Sequence, residues 1–172
     1  MILVNTGNGK GKTTAALGAA FRAVGEGKRV LMIQFIKGPW KSGEDDAAKL
    51  LSPHFELRKM GKGFVGILGD SLPREEHEAA AREALGVAKR EVINGDWDLL
   101  ILDEVNNALD LQLLDLGDVL AFIDAFPKEK HLILTGRNAN PEIIARADIA
   151  TEMGELKHVY NEGVKARRGI ES

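Results

Sequence analysis

Four apolar runs stand out along the chain, each closing on small, polar or acidic residues. Ile2-Leu3-Val4 ends at Asn5-Thr6-Gly7, and Val30 to Ile36 forms a longer run. Leu99-Leu100-Ile101-Leu102 ends at Asp103-Glu104, and Leu132-Ile133-Leu134 ends at Thr135-Gly136. Runs without polar alternation suit strands covered on both faces, as in a parallel sheet.

Helical patterns lie between them. Thr13 to Val24 is alanine-rich and places Ala16, Leu17, Ala20, Phe21 and Val24 on one face, with Gly25 and Gly27 as a stop. Pro73 reads as a first-turn proline after Asp70-Ser71, and Glu75-Glu76 suit the positive end of a helix. Ala81, Leu85, Ala88 and Val92 continue that helix to a stop at Asn94-Gly95. Leu116, Val119, Leu120 and Ile123 mark another, ending near Pro127. Asn140-Pro141 reads as a cap and first-turn proline for a short helix to about Ala147.

Strands alternating with helices predict a doubly wound α/β fold with a largely parallel sheet. Two stretches fall outside it. Residues 37–52 read as a polar loop around Trp40, and residues 60–69 hold four glycines without a clear period. Loops of that kind in a small α/β domain often line a site.

Composition narrows the options. With 172 residues and 44% hydrophobic content, one compact domain over residues 1–172 is expected. A net charge of −3 does not call for nucleic acid. The absence of cysteine removes disulfides, thiolate-held zinc, iron–sulfur clusters and thiol catalysis. The four histidines are scattered, so a protein-only zinc site is not expected. No run approaches the roughly 18–20 apolar residues of a membrane helix, and no secretory pattern opens the chain, so a cytoplasmic location is expected.

The chemistry-bearing motif is Thr6-Gly7-Asn8-Gly9-Lys10-Gly11-Lys12-Thr13-Thr14, set between the first strand and the first helix. Glycines let successive N–H groups turn toward an anion, and the helix N-terminus adds partial positive charge. Lys12 supplies a cation to phosphates, and the Thr13 hydroxyl is a ligand for Mg²⁺. The usual phosphate loop is G-x-x-x-x-G-K-[ST]; here Thr6 holds the first glycine position and the loop is one residue short. Asp103 or Glu104, at the end of what reads as a neighbouring strand, is the candidate metal carboxylate; a helix cap is the alternative for Asp103.

The segments TGNGKGKTTAALG, QFIKGPWKSGE, LDEVNNAL, LTGRNANPEIIARADIATEM and KHVYNEGVKARRGIE, in this order over nearly the whole chain, resemble the ATP:corrinoid adenosyltransferases. The resemblance implies a three-layer, RecA-like P-loop fold. It implies that a Co(I) corrinoid attacks C5′ of ATP and that the triphosphate leaves whole. It also implies phosphates bound in the reverse sense to P-loop hydrolases, Mg²⁺ or Mn²⁺ as cofactor, and a homodimer. The sequence carries no flavin, haem or thiol chemistry that could deliver electrons to cobalt, so a separate reductant or reductase is expected. Carried onto this chain, the resemblance assigns triphosphate to Gly7, Asn8, Gly9, Lys10, Gly11, Lys12, Thr13 and Thr14. Metal falls to Thr13, Asp103 and Glu104, and the reaction to Lys12, Thr13 and Glu104.

Arg137 matches a phosphate or ribose contact, with a plain surface arginine as the alternative. Phe64 matches an aromatic near the corrinoid face, with a core phenylalanine as the alternative. Lys157, His158, Lys165, Arg167 and Arg168 form a basic tail, either solvated or a flap. Many members carry a second aromatic where this chain has Gly66. Trp40 reads equally as corrinoid-side or pinned to the core. The competing functions are a γ-phosphate kinase or ATPase and a non-catalytic ATP or corrinoid sensor.

Overall fold

The apolar runs become the inner strands of a single sheet. The computed structural model describes residues 1–66 and 69–158, with 163, 167, 169 and 170. The strands are β1 (Ile2–Thr6), β2 (Val30–Gln34), β3 (Phe55–Lys59), β4 (Leu99–Asp103), β5 (His131–Thr135) and β6 (Ile149–Glu152). The helices are α1 (Lys12–Gly25), α2 (Gly43–Leu50), α3 (Arg74–Asn94), α4 (Val105–Asp110), α5 (Leu116–Asp124) and α6 (Pro141–Arg146). The sheet order is β3-β2-β4-β5-β1-β6, and each of its strand pairs is parallel.

Strand alternation sends side chains to two apolar layers. Leu31, Ile33, Leu100, Leu102, Leu132 and Leu134 pack with α3 (Ala81, Leu85, Ala88), α5 (Val119, Ile123) and Ile143 of α6. Val30, Met32, Leu99, Ile101 and Ile133 pack on the other side with Ala16 and Ala20 of α1 and Ala48 of α2. Helices thus cover both faces, giving the three-layer architecture that the sequence led us to expect.

Four elements differ from expectation. Within residues 37–52 lies α2, opened by Ser42, whose backbone N–H donates to Asp45 Oδ2 at 2.7 Å. Only Ala48 of that helix is buried, so no apolar period announces it. Strands β3 and β6 are sheet edges: β3 buries only Phe55, and β6 is exposed throughout. Helix α4 has six residues, too short for a period. On α1, Phe21 does not join the inner face; it is 70% exposed, while Ala16 and Ala20 meet the sheet and Leu17 and Val24 pack at its margin. The expected neighbour relation also changes, because β5 lies between β1 and β4. No described helix is long and apolar enough to cross a membrane.

Ile101 is fully buried in a central strand. Ile101→Ala should lower the unfolding free energy by about 2–5 kcal/mol. Urea titration should show a lower midpoint at unchanged slope. A loss below about 1 kcal/mol would mean that this layer of the core is not packed as described.

Candidate functional site

In a parallel sheet every strand delivers its loop to the same edge, and here that edge gathers the polar motifs. The loop after β1 turns at Gly7 (φ +94°) and Gly11 (φ +120°) into α1. It rests on the chain leaving β6. Gly9 N–H donates to Met153 O at 2.7 Å, and Met153 N–H donates to Thr6 O at 2.9 Å. A Cβ on Gly7 would lie 2.5 Å from Met153 O, so only glycine permits this approach. The expectation that all N–H groups from Gly7 to Thr13 face an anion is therefore corrected at Gly9, whose N–H is bound to Met153. Thr6, in the place of the usual first glycine, is buried, and its hydroxyl accepts Ala139 N–H at 3.1 Å.

The Lys12 ammonium folds onto the loop and donates to Gly9 O at 2.7 Å. Partial burial, and then the nearby Arg137 charge, lower its pKa. Asn8, Lys10 and Thr14 are exposed around the loop.

Behind the loop sits a buried polar hub. Asp103 is fully buried. Its Oδ1 accepts the Thr13 hydroxyl at 2.8 Å and the Thr135 hydroxyl at 2.7 Å, and its Oδ2 accepts Gln34 Nε2 at 2.9 Å. Thr135 Oγ1 in turn accepts Glu104 N–H at 2.9 Å. Asp103 is thus a strand-end hub and not a helix cap; Glu104 stands at the start of α4, in the left-handed region (φ 64°).

Glu104 Oε2 is buried and has no hydrogen-bond partner. Burial, and then the adjacent Asp103, push its pKa up to about 7, against the charges of Lys37, Lys12 and Arg137. The charges of three cations from three separate segments thus act on one carboxylate. Among the described residues no cluster of three His, Cys, Asp or Glu side chains forms a metal cage.

Lys37 was not singled out in the sequence reading. It follows β2, and its Nζ meets Glu44 Oε1 of α2 at 2.8 Å. Partial burial opposes the ionised form of Glu44, but the hydrogen bond from Lys37 prevails and brings its pKa to about 2. Gln34, Thr135 and Met153 were likewise missed as site residues; their motifs were noted, but no period or spacing marks single polar side chains at strand ends.

Arg137 follows β5 beside Lys12 and Glu104, its backbone N–H donating to Asn107 Oδ1 at 3.0 Å. Phe64 stands apart from the phosphate loop, beyond the end of β3, where it stacks on Trp40 and neither ring is in the core. Lys157 and His158 follow the segment that underlies the loop; Arg167 is exposed. Lys165 and Arg168 lie outside the described residues.

The model of the family described as ATP:corrinoid adenosyltransferase BtuR/CobO/CobP matches residues 1–172. The chain belongs to the ATP:corrinoid adenosyltransferase family. Its relatives include the corrinoid adenosyltransferase of Escherichia coli K12, 42% identical over 172 residues, 99% of this chain and 85% of that protein. The corrinoid adenosyltransferase of Pseudomonas aeruginosa is 40% identical over 171 residues, 99% of this chain and 83% of that protein. Among solved structures, the flagellar accessory protein FlaH of Methanocaldococcus jannaschii superposes with a TM-score of 0.54 at 14% identity, covering 88% of this chain and 69% of FlaH. A KaiC-like protein of Pyrococcus horikoshii gives 0.52 at 14% identity, covering 92% and 74%. These two likenesses concern the fold alone, and they agree with the RecA-like architecture expected of this adenosyltransferase family.

The Lys37–Glu44 pair carries a pH signature. Glu44 has its folded pKa depressed from 4.5 to about 2. Its contribution is therefore complete above pH 4.5 and is lost as pH falls toward 2. Glu44→Gln should cost about 1–3 kcal/mol at pH 7, and the gap from wild type should close on acidification. Urea unfolding across that range tests this; a gap independent of pH would refute it.

Proposed function

We propose that this chain transfers the 5′-deoxyadenosyl group of ATP to the Co(I) centre of a corrinoid and releases triphosphate. The carrying observation is the convergence of Lys12, Thr13, Glu104 and Arg137 around the phosphate loop, in a chain matched over its full length by the adenosyltransferase family. In the reaction, the electron pair of Co(I) forms the Co–C5′ bond. The C5′–O bond breaks, and its pair leaves with the triphosphate. Cobalt ends as Co(III).

No protein nucleophile or strong base is required, so the work of the protein is orientation and charge stabilisation. Lys12 and the free loop N–H groups bind the triphosphate, Arg137 contacts phosphate or ribose, and Asn8, Lys10 and Thr14 complete the binding loop. Mg²⁺, or Mn²⁺, fits here. The Thr13 hydroxyl and the unpartnered buried Oε2 of Glu104 are hard oxygen donors, as such ions prefer. Asp103, its acceptors already engaged by Thr13, Thr135 and Gln34, holds Thr13 in place from behind. When bound, the ion supplies positive charge to the phosphate oxygens.

Co(I) must come from elsewhere. The chain has no cysteine, so thiols of its own cannot reduce cobalt, and a separate reductant or reductase is proposed. A homodimer is proposed by family likeness.

Incubation with ATP, Mg²⁺ and a chemically reduced corrinoid should give triphosphate and a Co–C adduct in equal amounts. ADP with phosphate as the products would overturn the proposal. Glu104→Gln should raise the Mg²⁺ concentration for half-maximal rate by about tenfold or more and leave the thermal midpoint close to wild type. An unchanged Mg²⁺ requirement would remove Glu104 from the metal.

A further inference from the structure

Exposed large aromatics are costly to leave bare unless they meet a partner. Trp40 is 60% exposed and Phe64 47% exposed. They are not scattered: their ring centroids lie 6.0 Å apart with 27° between planes, so the two rings stack as one exposed aromatic pair.

That surface is built. Trp40 lies in the chain leaving β2, and Phe64 in the chain leaving β3. Lys59 Nζ donates to Trp40 O at 2.7 Å, and Gly63 N–H donates to Ile36 O at 2.9 Å. A Cβ on Gly63 would lie 2.7 Å from Trp40 Cη2, so glycine lets the indole lie flat against the neighbouring backbone. Beyond Phe64, Asp70 Oδ2 accepts Gly66 N–H at 2.8 Å and tethers that loop to the start of α3. The backbones are held while both side chains stay largely exposed.

Position supplies the rest. The Trp40 and Phe64 loops and the phosphate loop all leave the same edge of the sheet. From β2 to β1 there are three strand spacings, about 14 Å, and Lys37, Asp103 and Glu104 lie along that stretch. A ligand on the aromatic surface therefore shares one mouth with a nucleotide on the phosphate loop.

We infer that Trp40 is a corrinoid-binding residue: its indole, laid against Phe64, is the flat face on which the corrin macrocycle rests. This rests on the adenosyl-transfer reading above. Trp97, the other tryptophan, is 8% exposed, precedes β4 at the opposite end of the sheet and donates Nε1–H to Glu91 Oε2 at 2.7 Å. It serves as an internal marker of intact folding.

The test is equilibrium dialysis of Co(II) cobinamide against the full chain preloaded with ATP and Mg²⁺, using Trp40→Ala, Trp40→Leu and Trp40→Phe. Trp40→Ala and Trp40→Leu should weaken cobinamide binding by about tenfold. Trp40→Phe should stay within about threefold of wild type. ATP affinity and Trp97 emission should not move in any variant. Cobinamide binding by Trp40→Ala equal to wild type would overturn the inference, as would no binding by the wild type or a parallel fall in ATP affinity. Failure of the underlying function reads differently: a wild type that binds cobinamide through Trp40 but yields ADP sinks adenosyl transfer and leaves the platform standing.

Discussion

A carboxyl group with no access to water must have its oxygens satisfied by protein donors, and Asp103 organises this molecule around that requirement. Its donors come from three elements: Thr13 at the start of α1, Thr135 at the end of β5 and Gln34 at the end of β2. Because β5 separates β1 from β4, no ladder of backbone bonds ties the phosphate loop to β4. The side-chain hub does so instead. Through Thr135 it also reaches the backbone of Glu104, which stands in the left-handed region at a cost of roughly 1–2 kcal/mol. A strained residue persists where its surroundings over-determine it. Here that backbone holds a carboxylate with an unpartnered buried oxygen in the field of three cations.

The one-residue-short phosphate loop is the other side of the same economy. Residues 7–11 lie directly on the chain leaving β6, and Met153 binds Gly9 N–H while its own N–H is held by Thr6 O. The loop is therefore fixed from below by an edge strand and from behind by Asp103. Rigid placement of donors is what a leaving-group site needs, since donors fixed in advance need not reorganise as charge develops.

Much of this was legible in the residues. The inner strands announced themselves because burial on both faces demands unbroken apolar runs, and Asn140-Pro141 marked α6 because its cap chemistry is local: Asn140 Oδ1 accepts Glu142 N–H at 2.9 Å. Glycines and lysines at a strand–helix junction identified the phosphate loop for the same reason. What escaped was non-local. Edge strands β3 and β6 lack an apolar run since one side of each is open to water, and α2 hides in a polar stretch because only Ala48 needs burying. Phe21 matched the inner face by spacing, yet the sheet comes close enough to α1 that alanines fill the contact. Lys37, Thr135 and Gln34 acquire meaning only when strand order brings their ends together.

The aromatic pair and the hub lie at two ends of one polar mouth, and Lys37 connects them. It follows β2, three residues before Trp40, and its ammonium is held by Glu44 while its charge bears on Glu104. Pairing with Glu44 keeps that charge ionised in a partly buried place. A cation fixed there keeps its charge without needing a phosphate to hold it. The same short segment thus carries a fixed positive charge toward the hub and an open indole toward the outer end of the sheet. An adenosyl transfer needs that division: charge stabilisation where triphosphate departs, and a flat uncharged face where cobalt approaches. Both follow from the register of β2 between β3 and β4, which sets the Trp40 loop beside the Phe64 loop and Lys37 beside Glu104 in one step.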